Sequence, residues 1–442
     1  MSDPSNQGLK RTLGPLMLWG LGVGYVISGM YFGWNLGLEK GGTLGLAIST
    51  LFIIVMYVTF TFGYTELACA IPKAGGAFVY AHRALGRRWA FLAGMAQNIE
   101  FIFAPPAIAF AMGAYFNLFV PSVPILGVAI LSYVIFTALN ISGVKAAATF
   151  ELIITVLAVM ELLIFAGVTL PHFEYKNLTL NALPNGYQGI FAAIPFAIWF
   201  FLAIEGVANV AEETINPQRN VLIGFGSAIL TLVVLCILTF LSSVGVGGWE
   251  AVVYPEPGAE ASDSPLPMAL RQVVGESHFL FHLLITIGLV GLLASFHGII
   301  LAAGRATFEF GRVGFAPKGL GKVHPKFRTP ANALIFNMAI GIIALTTTKT
   351  GEIITIACFG ALTLYIVAML SLFALRRKSP ELERPFKVPF YPWFPIIALV
   401  IASIALIAMT VYNPWLALIY VGMLILSYLY FLFFVEPENN LE

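Results

Sequence analysis

GIFAAIPFAIWFFLAIEGVANVA, residues 189 to 211, is an apolar run long enough to cross a bilayer, and it carries one charge, Glu205. About 20 predominantly apolar residues span the hydrocarbon core as a helix. An ionised carboxylate at that depth costs at least a few kcal/mol even on lenient insertion scales. Such a group faces a bundle interior or a wet cavity and pairs with something. No Lys or Arg lies in the run, and the expected partner is a cation that comes and goes. Pro195 and Gly206 weaken the helix on either side of the site.

The whole chain has the same character. Of 442 residues, 59% are hydrophobic and 10% are charged, whereas a soluble domain carries about 25% charged residues. Lipid is therefore the solvent. Apolar runs at 15–38, 44–71, 89–118, 122–139, 149–171, 187–211, 221–246, 277–304, 331–348, 353–375, 395–411 and 414–435 give twelve candidate helices, so the fold class is an all-α membrane protein. The formal net charge of +1 argues against nucleic acid as a partner. Cys69, Cys236 and Cys358 all lie in apolar stretches without C-x-x-C spacing and read as small core hydrophobes. The first apolar stretch is too long for a cleaved signal peptide. No phosphate-cradling G-x-x-x-x-G-K-[ST] loop occurs, which speaks against ATP as the drive.

Orientation follows from basic residues. With the N-terminus inside, the external loops hold only Lys40, Lys176, Arg271 and Lys349, and every other Lys or Arg falls on the opposite side. That asymmetry places both termini in the cytoplasm. The runs divide the chain into a cytoplasmic segment 1–14, a core 15–375, a cytoplasmic linker 376–394, two peripheral helices over 395–435 and a tail 436–442. The external loop at 247–276 is acidic, with Glu250, Glu256, Glu260, Asp263 and Glu276. It is either a plain solvated loop or a device that concentrates a cationic solute.

Two of the runs look interrupted. The first carries Gly20, Gly22, Gly24, Gly29 and Gly33, and the sixth carries Pro195, Ala203, Glu205 and Gly206. In lipid a broken helix survives only where its freed backbone groups face protein or water. Breaks at corresponding positions of two halves point to a transporter site near the midplane. Along an unbroken helix, six residues turn the side chain by about 600°, which would separate Trp199 from Glu205. A break around Leu202 to Ile204 lets ring and carboxylate converge on one solute, the usual way to hold an ammonium group.

These residues resemble a known family. WFFLAIEGVANVAEETINPQRN (199–220) is similar to the sixth-helix signature of the amino acid–polyamine–organocation (APC) transporter superfamily. ELACAIPKAGGAFVYAHRALG (66–86) resembles its second-helix motif, and AAGRATFEFGRVGFAPKGLGKVHPKFRTP (302–330) its basic loop after the eighth helix. Within the superfamily, GMYFGWNLGLEKGG (29–42) and GMAQNIEFIFAPPAIA (94–109) are similar to the bacterial ethanolamine permease group. The resemblance implies a leucine-transporter-type inverted repeat of five plus five helices (15–171 and 187–375), with helices 1 and 6 unwound around a central site. It implies a bacterial inner-membrane location, a monomer or homodimer, and a substrate site of Tyr25, Ile27, Ser28, Gly29, Met30, Trp199, Leu202, Ala203 and Glu205.

Two departures sharpen that expectation. Amino acid carriers of the family bind the substrate carboxylate at a G-[ST]-G-type break in helix 1. The aligned residues here are Ile27, Ser28 and Gly29; a branched side chain in place of the first glycine fits an amine without an acid. Proton-coupled relatives carry a fifth-helix lysine, and counting thirteen residues on from Lys145 puts Ala158 at that position. The coupling ion, H+ or Na+, is therefore left open, and no other cofactor is expected. Glu100, Glu161 and His297, isolated in the third, fifth and eighth runs, are candidate proton or gating groups. Glu212 and Glu213 are expected to form gate salt bridges with basic loops. A desolvated Glu205 could carry a proton that an arriving amine displaces.

The expected activity is secondary uptake of ethanolamine, with the lipid bilayer and the amine as partners. An amino acid or polyamine carrier is the alternative. An intramembrane enzyme would need an H-E-x-x-H or G-x-S-x-G element, and neither is present. A sensor built on a carrier fold would bind substrate without accumulating it.

Overall fold

A computed structural model describes residues 12–73, 75–142 and 147–435. In chain order its helices are α1 Pro15–Val26, α2 Ser28–Tyr31, α3 Asn35–Ala70, α4 Ala77–Leu85, α5 Arg87–Asn117, α6 Ile125–Ser142, α7 Ala147–Thr169, α8 Tyr175–Thr179, α9 Gly186–Ala192, α10 Ile194–Trp199, α11 Pro217–Gly247, α12 Glu250–Val253, α13 Pro265–Val274, α14 Phe279–Arg312, α15 Ala331–Leu345, α16 Thr350–Lys378, α17 Trp393–Tyr412 and α18 Pro414–Phe434. Lys10, Arg11 and Lys145, counted above on the basic face, lie outside the described residues, as do most of the 1–14 segment and the 436–442 tail.

Ten helical stretches of the described residues are long and apolar enough to cross a membrane, the interrupted Gly186–Ala211 among them. The first and ninth runs instead hold the shorter apolar helices Pro15–Val26 and Ala331–Leu345. The first run is short because it is broken, and its last part is fused to the second. Gly42, at φ 64° and ψ −171°, kinks α3 so that Asn35–Gly41 continues the first run and the remainder is the second. Only glycine takes such a backbone without strain.

Prolines set several starts. Pro15, Pro195, Pro217, Pro265 and Pro414 stand in the first two positions of their helices, where the missing N–H costs nothing. Pro195 therefore restarts the sixth run as α10 after α9 rather than weakening a continuous helix.

The core is the interior of the bundle. α5 and α16 pack along their lengths, and α1 lies in a trough formed by α7, α11 and α14. Peripheral α17 and α18 expose Ile404, Ile407, Leu426, Phe433 and Phe434, the apolar outer surface a lipid-facing helix requires. Cys69, Cys236 and Cys358 are buried and free.

Candidate functional site

The sixth run breaks where it was expected to. α10 ends at Trp199, a turn follows, and Ala203 sits in the left-handed region at φ 73°. A 3₁₀ segment then runs over Ile204–Glu213. A non-glycine residue there is strained, and such strain persists only where the surroundings enforce it. Here the surroundings include Glu100 of α5: its Oε1 accepts from the Ala203 N–H at 3.2 Å. The turn thus exposes a backbone donor, and a buried acid from another helix satisfies it.

Glu205, directly beyond the turn, is fully buried, and its Oε2 accepts from the Tyr365 hydroxyl at 2.9 Å. Tyr365 of α16 in turn shares a 3.1 Å hydrogen bond with Tyr57 of α3. The Glu100 and Glu205 side chains lie within hydrogen-bond reach of each other. Glu100 Oε2 and Glu205 Oε1 accept from no donor, and neither acid pairs with a Lys or Arg among the described residues. Carboxylate oxygens only accept, so two that meet need a proton or a cation between them. Rings enclose the pair: Tyr57 lies 5.2 Å from Phe201 and 5.4 Å from Tyr365, and Phe60 lies 4.3 Å from Tyr365. Two acids, phenol hydroxyls and ring faces in an apolar shell are the groups that chemistry uses to hold a small cation.

Helix 1 differs from expectation. Ile27 stays helical at φ −59° and ψ −23°, with its N–H on the Val23 carbonyl at 2.8 Å. The Ile27 and Ser28 carbonyls accept from Met30 N at 2.9 Å and Phe32 N at 3.3 Å. The Ile27 and Ser28 carbonyls are therefore engaged, and the expected break at 27–29 is only a bend between α1 and α2. The larger break comes at Phe32, extended at φ −161°, and Gly33, at φ 85°. Residues 27–29 still meet the sixth run closely. A Cβ on Gly29 would lie 2.4 Å from the Trp199 carbonyl oxygen. Ser28 and the Tyr25 carbonyl both meet Ser295 Oγ of α14 at 2.8 Å, and Met30 is buried with its carbonyl on Trp34 Nε1. The Tyr25 ring packs over the place where Gly206 lacks a side chain.

Trp199 and Glu205 take different partners. The Trp199 ring packs against Phe32, centroids 5.3 Å apart, and against Gly33, where a Cβ would meet the indole at 2.6 Å. Its Nε1–H has no acceptor. Leu202 is buried at the turn. The aromatic partners of Glu205 are instead Tyr57 and Tyr365, which sequence reasoning missed; each is one tyrosine in an apolar span, and nothing in its spacing distinguishes it.

The other candidates each find neighbours. Glu161 accepts from the Tyr31 hydroxyl at 2.7 Å, a structural pairing across α2 and α7. Ala158 is buried, and its carbonyl accepts from the same hydroxyl at 3.2 Å. His297 faces Glu151, an acid the sequence reading passed over, at 4.0 Å. Glu213 pairs with Arg305 at 3.2 Å, as expected of a gate, whereas the side chain of Glu212 lies outside the described residues. The backbone around Glu213 holds the chain's beginning: Thr12 and Leu13 donate to its carbonyl at 2.8 and 3.0 Å.

Comparison with known proteins places this geometry in a family. The amino acid permease model matches residues 13–435. An uncharacterized transporter of Rhizobium meliloti is 28% identical over 418 residues, 92% of this chain and 88% of that one. The methylthioribose transporter of Bacillus subtilis is 28% identical over 420 residues, 90% and 88% of the two chains. The low-affinity putrescine importer of Escherichia coli is 25% identical over 405 residues, 88% and 87%.

Proposed function

We propose, from the premise that this chain belongs to the amino acid permease family and is a transporter rather than an enzyme, that its cargo is ethanolamine. The observation that carries this reading is Glu205. It is buried at a strained helix break, bonded to Tyr365, set against a second acid, and unpaired with any Lys or Arg among the described residues. In the proposed mechanism the ammonium donates to Glu205 Oε1 and Glu100 Oε2, and the Tyr57, Phe201 and Tyr365 rings add their faces. A carboxylate on the cargo would have to come close to the same two acids. The Ile27 N–H, spent on Val23, and the Ser28 hydroxyl, held by Ser295, are engaged within the protein. Both features favour an amine without an acid.

The two inverted halves then rock around the site to give alternating access, in a bacterial inner membrane with both termini cytoplasmic. A second reading, an amino acid or polyamine carrier, is favoured by the relatives, which include a putrescine importer and a branched-chain amino acid permease. Uptake of labelled ethanolamine into proteoliposomes separates the readings. Saturable uptake, competed by unlabelled ethanolamine and not by alanine, arginine or putrescine, is expected. Strong competition by one of those three, with none from ethanolamine, would reassign the cargo. Binding without accumulation would make the chain a sensor.

A further inference from the structure

One buried acid has no part in the amine site. Glu151 stands near the start of α7, on the face that crosses α1. Two glycines make room for its carboxyl: a Cβ on Gly24 of α1 would lie 2.6 Å from Glu151 Oε1, and one on Gly298 of α14 would lie 3.2 Å from it. One turn further along α7, Thr155 donates to the Gly20 carbonyl at 3.1 Å, and Leu152 fills the space over Gly20. The Gly20–Gly24 face of α1 thus seats α7, with the acid in the seam where α1, α7 and α14 meet. The Glu151 side chain is 3% exposed, and its Oε1 accepts from no donor among the described residues. Its Oε2 lies 4.0 Å from His297 Nδ1, which has no hydrogen-bond partner either.

That gap exceeds a hydrogen bond by about 1 Å, so a shift of one helix by that amount would close it. Among the described residues, the groups facing the pair from the other elements supply no countercharge. Tyr25 of α1 lays its ring against Gly298. Phe136 of α6 stands 6.1 Å from the imidazole. Glu213 and Arg305, which act on Tyr25 from farther away, neutralise each other. A carboxylate at membrane depth without a fixed cation takes up a proton or a mobile ion. The neighbour provided here is imidazole, which exchanges protons near neutral pH.

We propose that Glu151 and His297 form a proton-binding pair, separate from the amine site, that carries the proton coupled to uptake. The Glu151 carboxylate takes a proton from water on the side where the proton is abundant. The resulting O–H donates to neutral His297 Nδ1 and draws α14 toward α7. Release of the proton to water on the other side separates the two again. His297 lies two residues after Ser295, whose hydroxyl meets the Tyr25 carbonyl and Ser28. Closure of the pair therefore moves the part of α1 that borders the amine site.

The proposal rests on the transport reading, and the test keeps the two apart. In proteoliposomes, wild-type protein is expected to accumulate ethanolamine under an inward proton gradient. Glu151→Gln, which mimics the protonated acid, should lose that accumulation by about tenfold or more, in the range of a site-to-site coupling, while ethanolamine-for-ethanolamine exchange stays within about twofold. His297→Gln should behave likewise, which keeps the idea testable if Glu151→Gln does not fold. Unchanged gradient-driven accumulation in either variant, or wild-type uptake driven by sodium alone, overturns the pair. If wild type carries no ethanolamine, the substrate reading fails and infrared difference spectra of purified protein between about pH 5 and about pH 8 decide. A protonated-carboxyl band lost in Glu151→Gln and shifted in His297→Gln supports the pair. Its persistence in Glu151→Gln refutes it.

Discussion

At the scale of single residues, the site turns on Glu205 and Ala203. Replacing Glu205 with Gln keeps shape and the Tyr365 bond but removes the charge that an ammonium would meet. Ethanolamine uptake is expected to fall by about a hundredfold, the order of a lost charge-assisted bond in a dry pocket. Size-exclusion profiles should stay those of folded protein, and uptake at the wild-type rate would refute the role. Ala203 poses a different question, because its φ of 73° costs a residue with a Cβ about 1 kcal/mol. Ala203→Gly should therefore raise the thermal unfolding temperature in detergent. A lower temperature would mean that the buried methyl group contributes more than the strain removes. Glu205 was legible because a charge in an apolar run is expensive wherever it sits. Glu100 was legible for the same reason, but its partner was not: a contact between residues 100 and 203 leaves no trace in local pattern.

At the scale of elements, glycines and prolines announced which spans would be interrupted, and where for helix 6 but not for helix 1. Helix 6 broke at Leu202–Ile204 as its composition implied, with Pro195 serving as a helix start instead of a kink. Helix 1 has glycines on both sides of the bend at Ile27, and tertiary contacts decide that the larger break falls at Phe32–Gly33. That later break seats the Trp199 indole. Gly33→Ala would place a Cβ 2.6 Å from the ring at a positive φ, so two penalties coincide. We expect it to destabilise the protein by about 2 kcal/mol and to cripple transport, measured as melting temperature and uptake rate. Gly127→Ala, at a glycine with open space around it, should change neither. The separate partners of Trp199 and Glu205 have a related origin. A helix break frees the direction of each half, and packing against α3 and α16 on one side and α1, α3 and α11 on the other, with the Glu100 bond at the turn, sets where each half points.

At the scale of the whole molecule, polar clamps tie distant spans together at the bundle ends. Glu66, at the end of α3, accepts from Arg376 at 2.7 and 2.6 Å and from the Val388 N–H at 2.7 Å, with Arg384 3.4 Å away. One buried carboxylate thus joins α3, α16 and the linker before α17. Removing it with Glu66→Ala takes the carboxylate from Arg376, while Arg384 keeps its bonds to the Leu375, Ser379, Pro380 and Leu382 carbonyls, and should cost about 3–5 kcal/mol, read as loss of folded protein on purification. At another point, Asp263 accepts from Thr350 at the start of α16 at 2.7 Å. It borders a cavity of about 570 Å³ together with Glu39, Tyr254 and Glu260. Loss of water around it pushes its carboxyl up from the ordinary 3.8 to about 6, against the opposing bond from Thr350. The folded protein therefore holds this proton more tightly than the unfolded chain does. The stability it contributes is fully present below about pH 3.8 and is lost as pH rises through about 6. Asp263→Asn keeps an uncharged group of the same shape at every pH. The melting temperature of wild type minus that of the variant should fall as pH is raised from about 4 to about 7 and level off above. A difference that stays flat across this range would mean that the loop leaves Asp263 hydrated as in the unfolded chain.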